Sequence, residues 1–96
     1  IAEMASIAQQ KEIPFHVDAC VGGFMLPFLK KLGYTIPTFD FSLEGVTSMS
    51  VDIHKYGYAP KGASLILYRN RSLRKNQFTV ASTLLWSILQ QIYHQN

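Results

Sequence analysis

The sequence predicts an α/β fold with a mostly parallel sheet and flanking helices, and three observations predict it. Apolar residues recur at helical spacing in residues 1–12 and again in residues 24–32. Strand-like runs complete the order helix, strand, helix, strand, strand. Residues with reactive side chains follow two of the strands, at Asp18 and at the pair His54 and Lys55, which is where open parallel sheets bind ligands.

The first half of the chain predicts a helix, a short strand and a second helix. The first apolar stripe ends at the polar residues 9–12, and Pro14 separates it from a buried strand over residues 15–20. Gly22 and Gly23 end that strand. The second stripe, residues 24–32, tolerates Pro27 in its first turn and stops at Gly33.

The second half predicts a connection, two strands and a helical tail. Residues 37–44 form the connection. Thr47, Met49 and Val51 then alternate with polar residues, which is typical of a strand with one apolar face. Residues 63–68 are continuously apolar, so we expect this strand to be central or buried on both sides. A last helical stripe begins at Ser82.

Length and composition indicate that the chain is part of a larger folded protein or assembly. The chain has 96 residues, of which 48% are hydrophobic and 16% charged, so we expect a folded segment and not a disordered tail. This composition is apolar for so small a domain, which indicates an oligomer or part of a larger enzyme. Because Ile1 falls in the middle of a predicted helix, we favour the second interpretation.

Charge, cysteine content and hydropathy narrow the function classes. The net charge is +3, and the basic cluster Arg69, Arg71, Arg74 and Lys75 lacks interleaved aromatic residues, so we predict a solvated loop and no nucleic-acid partner. The single Cys20 excludes an internal disulfide and is typical of a reducing compartment. No apolar run approaches the roughly 20 residues of a membrane-spanning helix, so we expect a soluble segment. We assign no metal ligands.

Lys55 is the first candidate for chemistry. A lysine at a strand end, in a loop of aromatic and small residues, can have its pKa lowered by desolvation and act as a nucleophile. Such an amine forms Schiff bases with carbonyl compounds, including the aldehyde of pyridoxal phosphate. The alternative is an ordinary solvated lysine.

Asp18 and His54 are the partners that this chemistry would need. A buried carboxylate opposite the pyridine nitrogen keeps that nitrogen protonated, although Asp18 could instead cap the following helix or pair with a cation. His54 could donate to a phosphate oxygen, or it could be a partly buried histidine bonded to a backbone carbonyl. Ser48 and Ser50 could assist with phosphate or only satisfy their neighbours.

Two motifs, taken together, identify a family. The chain carries "HVDACVGGF" at residues 16–24 and "FDFSLEGVTSMSVDIHKYGYAPKGASLILYRN" at residues 39–70, followed by "NQF". An "HVDA" strand end with an "HK" pair some tens of residues later resembles the group II pyridoxal-phosphate decarboxylase superfamily. The intervening text resembles its carbon–carbon lyases, and the resemblance covers most of residues 1–80. It implies the large domain of a fold-type I enzyme that depends on pyridoxal 5'-phosphate.

The resemblance also implies a role for each matching residue. Lys55 would hold the cofactor as a Schiff base, and Asp18 would face the pyridine nitrogen. Ala19 would pack against the ring, and His54 would contact the cofactor phosphate. The substrate phosphate would face a second lysine, with a tyrosine of the same loop beside it; these are Lys61 and Tyr58. A compact ammonium suits a phosphate.

The reaction implied is the cleavage of a phosphorylated sphingoid base to a long-chain aldehyde and phosphoethanolamine. For an intact eukaryotic-type enzyme, the resemblance implies a homodimer at the cytosolic face of the endoplasmic reticulum membrane. Two alternatives stay open. The chain could come from a pyridoxal-phosphate-dependent amino-acid decarboxylase, or it could be a non-catalytic truncated partner of the full-length enzyme.

The resemblance ends after about Ala81. We therefore predict two parts, with residues 1–81 belonging to a partial cofactor-binding large domain and residues 82–96 forming a divergent helical tail. Segments that the superfamily places upstream, including the residue that stacks on the cofactor ring and the main phosphate loop, have no counterpart in the chain. We expect a fragment that alone neither holds pyridoxal phosphate tightly nor cleaves substrate.

Overall fold

A computed structural model describes residues 1–77, and its elements follow the predicted order. Two 3-10 turns, Gly22–Phe24 and Lys75–Gln77, accompany them. The helices and strands are α1 (Ala2–Gln10), β1 (His16–Asp18), α2 (Leu26–Lys31), β2 (Ser48–Asp52), β3 (Ser64–Tyr68) and α3 (Arg71–Arg74). The helix predicted from Ser82 lies outside the described residues. Within residues 1–77, no helix combines the length and the apolar character needed to cross a bilayer.

The sheet has three strands in the order β1-β2-β3 and is mixed. β1 and β2 are parallel, with Asp18 opposite Ser50, whereas β2 and β3 are antiparallel, with Asp52 opposite Ser64. The α/β class is confirmed, and the prediction of a mostly parallel sheet is not confirmed for this part of the chain. The reason lies in the connections, because α2 carries the chain back between β1 and β2 while turns alone join β2 to β3.

The prediction that residues 63–68 form a central or doubly buried strand is wrong for the described residues. Among residues 1–77, β3 lies at the edge of the sheet and pairs with β2 alone. Leu65, Ile66 and Leu67 are 42%, 53% and 41% exposed. A continuous apolar run therefore marked a strand correctly here but not its place in the sheet.

The second helical stripe is confirmed with one interruption. The 3-10 turn Gly22–Phe24 precedes α2 and is separated from it by Met25. Pro27 lies in the first turn of α2, where its missing N–H costs nothing. Gly33 follows the helix with a φ of +93°, a conformation that favours glycine.

The apolar core lies on one face of the sheet. Alternation along β1 and β2 points Val17, Met49 and Val51 to this face, where they meet Ala5 of α1 and the fully buried Val46. Five larger residues pack around this group and are partly buried: Phe15, Phe24, Phe39, Phe41 and Leu43. The opposite face carries the polar residues of β1 and β2, beside Ile66 and Tyr68 of β3.

The basic cluster after β3 is exposed, as predicted, but it is not a loop. Arg69 donates from Nε to the carbonyl oxygen of Val46 at 2.7 Å and from one terminal nitrogen to those of Phe41 and Leu43 at 2.9 and 2.7 Å. Its guanidinium also lies 5.4 Å from the centre of the Phe41 ring. The arginine therefore ties the connection before β2 to the end of β3, and the residues after Asn70 form α3.

Candidate active site

One face of the sheet carries the polar residues that the sequence singled out. Neighbouring strands point paired residues to the same side, and residues two apart along a strand share a face. The register therefore places on this face His16 and Asp18 of β1, Ser48, Ser50 and Asp52 of β2, and Ser64 of β3, together with Ile66 and Tyr68 of β3. We call this set the polar face.

Asp18 is held at the end of β1 by two donors. Its Oδ1 accepts from the backbone N–H of Cys20 at 3.1 Å and from the hydroxyl of Ser50 at 3.0 Å. Hydrogen bonds from Cys20, and then the one from Ser50, lower the pKa of the Asp18 carboxyl below its usual value. The carboxylate is exposed, so the prediction that it is buried is wrong for this structure. It neither caps the next helix nor forms an ion pair among residues 1–77.

The two serines of β2, Ser48 and Ser50, form hydrogen bonds with neighbouring side chains. This is one of the two alternatives that the sequence left open for them. The ring of His16 lies across both, with Nδ1 2.8 Å from the Ser48 hydroxyl and Nε2 3.2 Å from the Ser50 hydroxyl. Cys20 Sγ donates to Ser50 Oγ at 3.5 Å. Ser50 thus connects His16, Asp18 and Cys20 in one network.

Asp52 is the residue that sequence reasoning left without a role. It ends β2, is 9% exposed, and its Oδ2 lies 2.7 Å from Lys55 Nζ. Its Oδ1 accepts from the Ser64 hydroxyl at 2.6 Å. The Lys55 ammonium first, and then the Ser64 hydroxyl, lower the pKa of Asp52 to about 2. An acid at the end of a strand, three residues before a lysine in a turn, was the available signal.

The expectation that desolvation lowers the pKa of Lys55 is wrong for this structure. The hydrogen bond to Asp52 raises the pKa of the lysine and outweighs the opposing effect of desolvation. The side chain keeps 38% of its surface exposed, so its desolvation is incomplete. Lys55 is therefore an ammonium ion at neutral pH, held by a carboxylate of its own segment.

Asp18 and Lys55 lie on the same side of the sheet. Negative charge on Cys20 and on Asp18 acts through space on Lys55 and raises its pKa, after the larger effect of Asp52. The backbone N–H of Asp52 donates to the carbonyl oxygen of Cys20 at 3.3 Å. The network of Asp18, Cys20, Ser50, Asp52 and Lys55 is thus continuous. The structure brings together the two motifs that are distant in sequence.

His54 and Ala19 are placed differently from their predicted contacts. His54 Nδ1 lies 2.9 Å from the carbonyl oxygen of Ala63, so this nitrogen carries the proton and donates, and Nε2 is 3.8 Å from Asp52 Oδ2. This is the backbone-bonded histidine of the alternative interpretation, with one nitrogen left for a ligand. Ala19 is 5% exposed and belongs to the core. The cofactor contacts of both residues stay predictions.

Lys61 and Tyr58 lie in the connection between β2 and β3. Tyr58 is 91% exposed and has a φ of 56°, and its backbone N–H donates to the Lys55 carbonyl oxygen at 3.2 Å. Lys61 is exposed one residue before Gly62, whose φ is +95°. Both side chains are exposed, and their role toward a substrate phosphate stays a prediction.

An acid titration tests the pair of Asp52 and Lys55. A carboxyl whose pKa is about 2 when folded and 3.8 when free stabilises the fold above pH 4 and loses this contribution as the pH falls toward 2. We expect Asp52→Asn to flatten the loss of stability between pH 4 and pH 2, measured by urea denaturation at each pH. An unchanged pH dependence in the variant would show that the pair does not persist in solution.

Comparisons with known proteins match nearly the whole chain. Residues 1–94 match the family described as the pyridoxal-dependent decarboxylase conserved domain. The sphingosine-1-phosphate lyase of Arabidopsis thaliana is 59% identical over 87 residues, which cover 91% of this chain and 16% of that protein. A probable L-aspartate decarboxylase of Pyrococcus abyssi is 47% identical over 75 residues, which cover 78% of this chain and 20% of that protein.

A solved structure shows the same similarity. The sphingosine-1-phosphate lyase of Burkholderia pseudomallei superimposes with a TM-score of 0.78 and 51% sequence identity, over 80% of this chain and 18% of that chain. The chain spans about one sixth of the length of the Arabidopsis relative.

Proposed function

The chain belongs to the pyridoxal-dependent decarboxylase family, and from this premise we propose that it forms the lysine-bearing edge of a carbon–carbon lyase for phosphorylated sphingoid bases. The proposed reaction breaks the bond between C2 and C3 of the base and yields a long-chain aldehyde and phosphoethanolamine. The observation that carries the proposal is the polar face, where one continuous network holds Asp18 and the pair of Asp52 and Lys55, in a segment 59% identical to a sphingosine-1-phosphate lyase.

The residues of the polar face fit pyridoxal phosphate, the cofactor that the family implies. The donor set around Asp18 keeps a carboxylate ionised at the exposed end of β1, as a protonated pyridine nitrogen requires. Lys55 presents a primary amine on the same side, as an aldehyde requires. When bound, this cofactor supplies an aromatic ring that takes up the electron pair of the bond being broken.

Each residue then has a task that its chemistry allows. Asp18 holds a proton at the ring nitrogen, because its lowered pKa keeps the carboxylate anionic. Lys55 would hold the aldehyde carbon of the cofactor, and its amine would be placed to move a proton. As an imidazolium ion, His54 would donate from Nε2 to the cofactor phosphate, since the Nδ1 proton is already bonded to the carbonyl oxygen of Ala63. Lys61 offers a point charge to the substrate phosphate.

An amino-acid decarboxylase is the second candidate. The 47% identity to a probable L-aspartate decarboxylase favours it, because the same electron-accepting ring serves the loss of carbon dioxide. The segment "YAPKG" at residues 58–62 favours the lyase. The exposed lysine of this segment suits a substrate that carries a phosphate better than an amino acid that carries only carboxyl groups.

Two properties of an intact enzyme belong to the same proposal. We propose that it is a homodimer and that it works at the cytosolic face of the endoplasmic reticulum membrane. Both properties are implied by the resemblance to eukaryotic lyases of phosphorylated sphingoid bases. The Arabidopsis protein, which is 59% identical to this chain, is one of these lyases.

A chimaeric enzyme tests the activity. Residues 1–77 of this chain replace the matching segment of the Arabidopsis lyase, so that the remaining parts of the site come from a complete protein. We expect the chimaera to release long-chain aldehyde from a phosphorylated sphingoid base and to release no carbon dioxide from L-aspartate. Carbon dioxide release without aldehyde would replace the lyase by the decarboxylase.

Lys61→Ala in the chimaera tests the substrate phosphate. Loss of a charge-assisted hydrogen bond costs about 1.5–3 kcal/mol, so KM for the phosphorylated base should rise about 10- to 100-fold. Retention of pyridoxal phosphate should not change. Lys75→Ala is the matched control, because Lys75 is exposed beyond α3. Equal effects of the two variants would remove Lys61 from the substrate site.

A further inference from the structure

Asp52 and Lys55 form a closed unit at the end of β2. A backbone hydrogen bond of 3.4 Å from Lys55 N to Asp52 O closes a turn, and the side chains meet at 2.7 Å across it. β3 anchors the carboxylate through the Ser64 hydroxyl at 2.6 Å. Since Asp52 is 9% exposed and ends a strand paired on both sides, it can move little. The lysine amine is therefore held by a fixed partner.

The chemistry of a lysine with an aldehyde requires the neutral amine. One carbon–nitrogen double bond forms between Nζ and the aldehyde carbon, and the aldehyde oxygen leaves as one molecule of water. The proton of the ammonium ion must first pass to solvent, because an amine without a lone pair is not a nucleophile. A carboxylate that stabilises the ammonium ion opposes this step.

We infer that Asp52 is a positioning residue, which anchors the Lys55 amine on the polar face and sets the pH range in which that amine attacks an aldehyde. The inference rests on the proposed function for its biological meaning, because it concerns the amine that would receive pyridoxal phosphate. The effect of Asp52 on the Lys55 amine involves only residues of this chain and can be measured without the proposed reaction. No role in the proposed chemistry is otherwise assigned to Asp52.

Three titratable groups act electrostatically on Lys55, namely Asp52, Cys20 and Asp18, and Asp52 has the largest effect. Asp18 and Cys20 act from β1 and the turn after it, through space and without a direct bond to Nζ. His54 is the adjacent residue, and its Nε2 lies 3.8 Å from the same Asp52 oxygen that Lys55 contacts. Asp52 alone among them contacts Nζ, so its removal should have a larger effect than that of the others.

Trapping with borohydride measures the effect directly. The 96-residue chain is exposed to pyridoxal phosphate across a pH series, the product is reduced, and mass spectrometry gives the rate at each lysine peptide. We expect the Lys55 profile to lie at higher pH than that of Lys30, an exposed lysine on α2. Asp52→Asn should bring the two profiles together and raise the Lys55 rate at pH 8 about 3- to 10-fold.

Two further variants complete the design. Asp40→Asn is the matched control, because Asp40 also accepts from a serine, Ser42, but lies in a loop away from Lys55. It should leave the Lys55 profile unchanged. Ser64→Ala keeps the carboxylate and removes only its anchor, so it should shift the profile by less than Asp52→Asn. This milder change keeps the test valid even where Asp52→Asn disturbs the fold.

The outcomes separate this inference from the proposed function. A Lys55 profile that matches Lys30 in the unsubstituted chain, or that Asp52→Asn and Ser64→Ala both leave unmoved, overturns the role of Asp52. A shifted profile in the 96-residue chain, together with a chimaera that cleaves no sphingoid base, supports the role of Asp52 and refutes the lyase. Cleavage by the chimaera without the shift refutes Asp52 alone.

Discussion

Replacing Lys55 with alanine should abolish nearly all carbon–carbon cleavage by the chimaera. The substitution removes the amine that anchors the cofactor aldehyde and can then transfer a proton. A positioned proton-transfer group alone contributes about 10²- to 10⁴-fold in rate, and we expect a loss of at least that size. No other lysine among residues 1–77 contacts the network of Asp18 and Asp52, so none is placed to substitute. The measurement is aldehyde release at saturating pyridoxal phosphate.

Two controls separate covalent chemistry from charge. Lys55→Arg keeps a cation for Asp52 but cannot form a carbon–nitrogen double bond with an aldehyde, so we expect it to be as inactive as Lys55→Ala. Lys31→Ala removes a lysine that lies over the Phe28 ring on α2, 5.9 Å from its centre, and should leave the rate unchanged. Substantial cleavage by Lys55→Arg would mean that the lysine acts through its charge alone.

Local patterns in the sequence predicted the helices and strands and placed the two site motifs at strand ends. The alternation of Met49 and Val51 with polar neighbours is a property of one strand, and it correctly assigned an apolar and a polar face to β2. Pro27 and Gly33 act on the backbone at their own positions, and both bound α2 as predicted. The parallel pairing of β1 with β2 then brings Asp18 to the polar face.

Features that depend on partners distant in sequence could not be predicted. The direction and edge position of β3 depend on which strand it pairs with, and an apolar run carries no information about that choice. The pKa of Lys55 was misjudged because desolvation was considered without the carboxylate of Asp52. Arg69 likewise found its partners more than 20 positions upstream, in the carbonyl groups before β2.

The close contact of α1 with the segment before β2 leads to the largest expected effect on folding. Gly45 is buried beside Ala5, and a Cβ atom there would overlap the Ala5 carbonyl oxygen and lie 2.6 Å from its carbonyl carbon. Both are backbone atoms of a helix, so neither can rotate away as a side chain would. Gly45→Ala must therefore push α1 off the core and expose Val46, which is 0% exposed.

We expect Gly45→Ala to destabilise the chain by about 3 kcal/mol or more, at the upper end of the range for overpacking, because a whole element has to move. Urea denaturation followed by far-ultraviolet circular dichroism measures the change. Glu44→Ala is the control, since Glu44 is the exposed neighbour and only accepts a hydrogen bond from Gln9 at 3.1 Å; it should cost about 0.5 kcal/mol or less. Equal stability of the two variants would mean that α1 does not pack against Gly45. Since Val46 is buried between this segment and the sheet, that result would also contradict the core that places β2 and its polar face.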